Sequence, residues 1–316
     1  MPSARPIIQA FAAAARRGWS ALRAPFVAPG EPSTSPTDAL LDFAPHTPTQ
    51  GRFDLVAIDI DGTLLRPDKR LAHRVIRAVS EASQRGVKVV LATARPPRSV
   101  RAIYEALNLD TPQINYNGAL IHDQRAGRAI LHQPVPVQLG SQLIRYARRV
   151  DPNVIIGVEI LDRWYTDHTD HAGGTRTTGT FRPDFVGPLE AFIHKPATKI
   201  LLQGSPERLG RVKAALCDRY RKRASILICD SQLVQVLHAG ADKQVALERI
   251  ALSYGIPRSR VMAIGDAPND ERMIRWAGLG VAMKNAWPTV RAAAGAIVSG
   301  NDADGVAEAL KRFVLA

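Results

Sequence analysis

The segment Leu55-Val-Ala-Ile-Asp-Ile-Asp-Gly-Thr-Leu-Leu65 constrains this chain more than any other. Leu55 to Ile58 is an uninterrupted apolar run, the pattern of a strand buried on both faces of a parallel sheet. Asp59 and Asp61 follow one residue apart, and Gly62 turns the chain away at once. Strand alternation predicts Asp59 and Asp61 on one face with Ile60 on the other. Two poorly solvated like charges would then stand at the C-terminal edge of a buried sheet, where α/β proteins bind ligands. Repulsion between them raises the proton affinity of one carboxylate, and a hard cation such as Mg2+ relieves it. A plain strand exit with Asp at both ends of a tight bend is the structural alternative for the same letters.

The logic recurs near the other end. Val261-Met-Ala-Ile-Gly-Asp-Ala-Pro-Asn-Asp270 is again a buried strand, a glycine and an acidic loop, with Asp266, Asn269 and Asp270 in it. A second acidic loop at a second strand end can complete a metal shell that the first begins. Between them, Val87 to Leu91 is a further apolar run ending in Thr93-Ala94-Arg95, where a hydroxyl and nearby N–H groups suit a phosphate oxygen. Asp242-Lys243 opens a helical segment, with Asp242 a good N-cap and Lys243 a compact positive charge.

These stretches, in this order, resemble the haloacid dehalogenase-like phosphatase superfamily, and within it the Cof-type branch with a large cap. The matching residues are Asp59-Ile-Asp61-Gly-Thr-Leu-Leu, Thr93, Lys243 and Gly265-Asp266-Ala-Pro-Asn269-Asp270. Asn117-Gly118-Ala119 and Gly280-Val-Ala-Met-Lys-Asn285 also look like stretches of that branch, and the likeness runs from about residue 53 to the C-terminus. Ala94 and Gln244 stand where glycine is common in the branch, which narrows the backbone's approach to a phosphate.

The resemblance implies a Mg2+-dependent phosphatase acting through an aspartyl-phosphate. Asp59 would be the nucleophile, and Asp61 would protonate the leaving alkoxide and then deprotonate water. Asp59, Asp266 and the backbone carbonyl of Asp61 would hold the metal. Thr93, Ala94, Lys243 and Asn269 would bind the phosphoryl oxygens, with Asp270 orienting Lys243 or a metal-bound water. A small phosphorylated metabolite is the expected substrate, because a capped site closes over its leaving group. The same residues also suit a phosphotransferase or phosphomutase, in which an acceptor hydroxyl replaces water.

Periodicity beyond these motifs alternates strands with helices. Val75, Ile76, Val79 and Ala82 mark a helix stopping at Gly86, and Pro96-Pro97 starts another with Val100, Ile103, Tyr104 and Leu107 on one face. A third short strand around Gln113 to Tyr116 completes a βαβαβ pattern, which predicts a parallel sheet. From about Gly118 the texture becomes α+β, with a hairpin over Ala119 to His132 and further strands over 154–160, 162–166, 199–203, 225–229 and 233–237 around a helix from Pro206 to Tyr220. The fold class expected is α/β: a doubly wound, Rossmann-like parallel-sheet core with an inserted α+β cap domain. Residues 51–118 and 238–316 would form the core and 119–237 the cap.

Residues 1–50 differ in kind. The first 28 carry Arg5, Arg16, Arg17 and Arg23 without an acid, and a Pro/Ser/Thr-rich stretch follows. Such an extension reads as a disordered basic tail on a cytoplasmic protein or as an organelle transit peptide. The net charge of +13 allows an anionic partner, and the densest basic run is Arg219-Tyr220-Arg221-Lys222-Arg223 at a helix end. No zinc-finger spacing or aromatic RNA-binding string accompanies it, so nucleic acid is not an expected partner; a non-catalytic nucleic-acid-binding protein on this fold is the contrasting reading. Arg95 suits either a surface ion pair or a substrate contact. His168, His171, His194 and His238 share no motif, and Arg163-Trp164-Tyr165 and Gly173-Gly174-Thr175-Arg176 are candidate substrate-recognition stretches. The two cysteines, Cys217 and Cys229, lack metal-ligand spacing. No apolar stretch approaches the roughly 18 residues of a membrane span.

Overall fold

A computed structural model describes residues 52–168 and 181–316. The basic extension, His171 and the Gly173–Arg176 loop fall outside the described residues. In chain order, β1 (Leu55–Ile58) leads to α1 (His73–Gln84), β2 (Lys88–Leu91), α2 (Pro97–Ala106) and β3 (Gln113–Asn115). A hairpin of β4 (Leu120–Asp123) and β5 (Arg128–His132) precedes α3 (Val137–Val150). Strands β6 (Ile155–Ile160), β7 (Arg163–Thr166), β8 (Phe185–Val186) and β9 (Lys199–Gln203) follow, then α4 (Pro206–Tyr220), β10 (Ala224–Asp230) and β11 (Leu233–His238). The chain ends with α5 (Lys243–Ser253), β12 (Val261–Gly265), α6 (Glu271–Trp276), β13 (Leu279–Met283), α7 (Pro288–Ala293), β14 (Ala296–Val298) and α8 (Gly305–Phe313). None of the described helices is long and apolar enough to cross a membrane.

The core sheet has the order β14-β13-β12-β1-β2, with every pairing parallel. Leu55, Val56, Ala57 and Ile58 are all fully buried, as the unbroken apolar run requires of a central strand covered on both faces. From β1 the chain winds first to β2 on one side and later returns to β12 on the other. The order therefore reverses between β1 and β12, and the crevice at their C-terminal ends is the ligand position of an open α/β sheet. Helix α1 buries Val75, Ala78, Val79 and Ala82 on one face. Gly86 ends that helix with a left-handed φ of 86°, its N–H bonding the Ser83 carbonyl.

The cap is a second sheet of order β10-β11-β9-β6-β7-β8. Alternate residues Ile156, Val158, Ile200, Leu202, Val234 and Val236 pack with Leu139 and Leu143 of α3 and Leu209, Val212 and Leu216 of α4. Each such leucine contributes about 1.5–3 kcal/mol on burial, so Leu216→Ala alone strips away much of the cap's margin. Helix α3 is an element that the sequence reading missed. Its buried positions Leu139, Leu143, Ile144 and Ala147 have helical spacing, so the signal was present.

The third strand departs from the expected parallel sheet. β3 touches β2 only through an isolated parallel bridge, Ala92 to Ile114, and pairs antiparallel with β4. The hairpin expected in the cap pairs with β3 instead, and Ile121, Ile130 and Leu131 pack on the core cluster around Leu55 and Ala57. Periodicity shows that a hairpin exists but not which sheet receives it. We propose that the core–cap division falls near residues 133–137, not at 118, and at about 238 on the return.

Candidate active site

The β1 exit is stitched to the β12 exit. Asp59 still donates its N–H to the Ile264 carbonyl at 3.0 Å, and Leu64 N–H then closes back on the Asp59 carbonyl at 3.2 Å. Gly62 makes the bend with φ 84°, and a Cβ there would lie 2.3 Å from Asp266 Oδ2. Only glycine allows this approach. Thr63 Oγ1 donates to Asp266 Oδ1 at 2.7 Å, fixing the second loop's carboxylate against the first loop.

Lys243 occupies the first turn of α5, and its N-cap Asp242 accepts from Gln244 N–H at 2.8 Å. The lysine is fully buried, with Nζ 2.6 Å from Asp59 Oδ1 and 2.7 Å from Asp270 Oδ1. A buried ammonium is tolerated only when paired in this way. The other oxygen of Asp270 accepts the N–H groups of Asp266 and Ala267 at 3.1 and 3.0 Å. Asp270 lies in a 3-10 turn, Pro268–Asp270, and α6 proper begins at Glu271. Asp59 Oδ2 is buried without a hydrogen-bond partner. Asp59, Asp266 and Asp270 each place one oxygen within 4.8 Å of the others.

Excess negative charge governs this pocket. Burial, and then Asp270, push the Asp59 carboxyl well up, and Lys243 offsets only part of that. Burial also lifts Asp266 to about 6, against the hydrogen bond from Thr63. Burial alone would lower Lys243, but Asp270 and Asp59 more than compensate and raise it. Three oxygen donors facing one ammonium, with one carboxylate oxygen unpartnered, fit a hard divalent cation. Asp59 and Asp266 could hold it, while both oxygens of Asp270 are already hydrogen-bonded within the protein.

Asp61 differs from the reading of two adjacent, mutually repelling carboxylates. β1 ends at Ile58, so strand alternation no longer applies at Asp61. Its side chain is 42% exposed and turns to Arg95, whose Nε and Nη2 bind it at 2.6 and 2.7 Å, and to Lys69 Nζ at 2.7 Å. Burial would raise this carboxyl, but Arg95 and then Lys69 bring it down to about 2. The like charges that crowd Asp59 are Asp270 and Asp266. In this conformation Asp61 is ionised and does not hold the proton that a general acid must donate.

The remaining candidates line the same crevice. Thr93 is buried at the β2 exit; its hydroxyl accepts Arg95 N–H at 3.2 Å and its own N–H goes to Ile114. Ala94 is half-buried beside it. Asn269 Nδ2 donates to Asn117 Oδ1 at 2.9 Å. Sequence reasoning assigned no role to Asn117, Thr63 or Lys69. Asn117-Gly118 was visible as a motif, whereas Lys69 carried no signal at all.

Beside the site, core meets cap through buried charge. Glu159 on β6 pairs with Arg98 on α2 at 3.0 Å and with Lys199 on β9 at 3.4 Å, and the Tyr116 hydroxyl lies 2.6 Å from its Oε2. Burial opposes ionisation of Glu159, yet Lys199 and Arg98 lower its carboxyl overall. Of the recognition stretches read from sequence, Trp164 is buried, while Arg163 is exposed. The basic run after α4 is partly a packing feature, since Arg219 stacks on Tyr146 and Tyr220 at 5.3 and 5.8 Å.

Known proteins resemble this chain in sequence and in fold. The chain is 30% identical over 272 residues to 5-amino-6-(5-phospho-D-ribitylamino)uracil phosphatase of Bacillus subtilis, covering 82% of this chain and 97% of that protein. It is 29% identical over 239 residues to HMP-PP phosphatase of Cronobacter sakazakii, covering 75% and 86%. The crystal structure of a haloacid dehalogenase-like hydrolase from Bacteroides thetaiotaomicron superposes with a TM-score of 0.75 at 27% identity, across 82% of this chain and 99% of that one. A sequence profile of haloacid dehalogenase-like hydrolases matches residues 56–310, spanning both motif-bearing halves of the core and the whole insertion. A doubly wound core that carries its acidic loops on either side of the strand reversal, with an α+β cap inserted between them, thus places this chain in the haloacid dehalogenase-like hydrolase family.

Proposed function

We propose that this protein is a phosphoric monoester hydrolase, a Mg2+-dependent phosphatase that cleaves a small phosphorylated metabolite through an aspartyl-phosphate on Asp59. One observation carries the reading: Asp59 has one oxygen pinned by Lys243 and the other buried and unpartnered. A nucleophile needs that combination of fixed orientation and a free lone pair. The relatives add support, one being named for a phosphorylated ribitylaminouracil and another for HMP-PP.

Asp59 Oδ2 attacks phosphorus, and the bond to the leaving oxygen breaks. The departing alkoxide takes its proton from Asp61. Asp61 then removes a proton from water, which attacks the same phosphorus and releases inorganic phosphate from Asp59. Before it can act as the acid, Asp61 must leave Arg95 and Lys69 and take up a proton from solvent; an incoming phosphate ester is an anion to which those two cations can turn. Lys243, Thr93, Ala94 and Asn269 bind the equatorial oxygens, and Asp270 holds Lys243 in place. Asp59, Asp266 and the Asp61 carbonyl are the proposed metal ligands; when bound, Mg2+ offsets the repulsion between the carboxylate and the phosphoryl group.

Hydrolysis of a generic aryl phosphate, with Mg2+ or with chelator, tests this for the wild type and Asp59→Asn. Turnover that requires the metal and falls by at least about 10³-fold in the variant supports the reading. An Asp59→Asn protein as active as the wild type refutes it.

A further inference from the structure

Three consecutive residues, Tyr116, Asn117 and Gly118, hold left-handed backbone, with φ of 51°, 54° and 95°. All three are buried. Asparagine and glycine tolerate this conformation, but a buried aromatic in it is strained and must be held there by its surroundings. The structure shows what holds it. Tyr116 reaches the cap, its hydroxyl 2.6 Å from Glu159 Oε2 and 2.6 Å from the Leu161 carbonyl. Its N–H goes to the Arg95 carbonyl, and Asn117 N–H goes to the Thr93 carbonyl at 3.0 Å. Gly118 lies so close to the backbone before Lys243 that a Cβ would stand 2.2 Å from the Asp242 carbonyl oxygen. One short segment is therefore fixed simultaneously by the β2 exit loop, the start of α5 and the cap.

Asn117 points the remaining way, toward the β12 loop. Its Oδ1 accepts from Asn269 Nδ2 at 2.9 Å, across 152 residues of chain. An amide nitrogen carries two hydrogens, and committing one fixes the plane of the amide and the direction of the other. Asn269 sits in a three-residue 3-10 turn, which by itself sets no side-chain rotamer.

We propose that Asn117 is a positioning residue for the phosphoryl-transfer step: it orients the Asn269 amide so that its second hydrogen meets a phosphoryl oxygen. This rests on the phosphatase reading above and extends it to a residue that touches no substrate. The left-handed backbone of Tyr116 and Asn117 brings the acceptor to Asn269, and the contacts with the cap, Thr93 and Asp242 maintain that backbone. Seating of the cap on the core thereby helps to define the geometry of a phosphate-binding group.

The test is a double-variant cycle on Asn117→Gly and Asn269→Ala. Glycine keeps the left-handed backbone without strain and deletes only the acceptor. The readouts are kcat on a generic aryl phosphate with Mg2+, inhibition by inorganic phosphate, and the melting temperature. Loss of an oriented donor to developing charge costs about 100-fold or more in kcat, so misorientation by Asn117→Gly is expected to cost about tenfold, with weaker phosphate inhibition. In the Asn269→Ala background the same change is expected to cost less than about twofold, since both act through one amide. Equal losses in the two backgrounds, or an Asn117→Gly kcat within about twofold of wild type, overturn the proposal. A melting temperature that falls in step with kcat in both backgrounds also overturns it, as a purely structural role. A wild type that neither turns over the ester nor binds phosphate defeats the phosphatase reading instead, and this inference with it.

Discussion

Lys243→Met removes the ammonium that pairs with Asp59 and Asp270 while keeping most of the side chain's volume. The lysine touches Asp59 at 2.6 Å and Asp270 at 2.7 Å, with its own side chain at 0% exposure. Removing one partner of a buried pair leaves the other charge uncompensated, at a cost of about 3–5 kcal/mol. For a chain of this size that corresponds to a fall of roughly 6–20 °C in melting temperature, at about 2–4 °C per kcal/mol. The cost depends on pH in a definite direction. Burial and Asp270 already raise Asp59, and losing Lys243 raises it further. A carboxyl raised in the native state binds more protons folded than unfolded, so it contributes stability that grows as pH falls. With chelator present, the gap between variant and wild type should therefore narrow as pH is lowered from about 7 to about 5. Calorimetric scans and urea midpoints at several pH values measure this, and the variant should also lose about 10²–10³-fold in kcat. A melting shift below about 2 °C, or a gap that ignores pH, would refute the argument that Lys243 compensates buried charge.

Three further outcomes are expected. Gly62→Ala places a methyl group 2.3 Å from Asp266 Oδ2 on a backbone of φ 84°, and should weaken Mg2+ binding in a calorimetric titration by at least about tenfold; unchanged affinity would remove Asp266 from the metal site. Burial lowers His132 from 6.5 to about 4, so its contribution to stability is complete above 6.5 and disappears as pH falls toward 4, amounting to about 3 kcal/mol. The Thr198 hydroxyl accepts Leu161 N–H and lies 2.8 Å from His132 Nε2, so an unchanged acid limb in urea midpoints of His132→Gln would show that this neutral ring is not what acid disrupts. Tyr116→Phe withdraws a hydrogen bond from buried Glu159 and should cost about 1–3 kcal/mol in a urea melt; a loss below about 0.5 kcal/mol would mean that Arg98 and Lys199 satisfy that carboxylate unaided.

Local, short-range physics made much of the chain legible before any coordinates. Apolar runs such as Leu55–Ile58 and Val261–Ile264 admit little besides central parallel strands, and both are such strands. The helix from Pro206 to Tyr220 was readable to the residue, with Ser205 as its N-cap and Pro206 at its first position. Asp59, Asp266, Asp270 and Lys243 stood out because strand ends and a helix start are where such side chains are spent on chemistry rather than packing. The family motifs grouped them, and the crevice brings them within hydrogen-bonding and metal-ligand distance of one another.

What failed to show was whatever depends on partners distant in the chain. A hairpin over Ala119 to His132 is a local fact, but its union with β3 rather than with the cap depends on which sheet edge lies open nearby. Alternation placed Asp61 beside Asp59, yet a strand's period lasts only while the strand does, and Arg95 and Lys69 captured the carboxylate just beyond it. Lys69 and Arg98 are lysine and arginine like many others in a chain of net charge +13, and nothing local distinguishes them. Sequence alone thus determined the class of the fold and the strand ends that carry the acids, because those follow from nearest-neighbour periodicity and turn chemistry, while the family came from the resemblance of its motifs. Only tertiary structure decided which cation faces which carboxylate and how the cap is tied to the β2 exit, because Coulombic and hydrogen-bond energies depend on distance in space and not on separation along the chain.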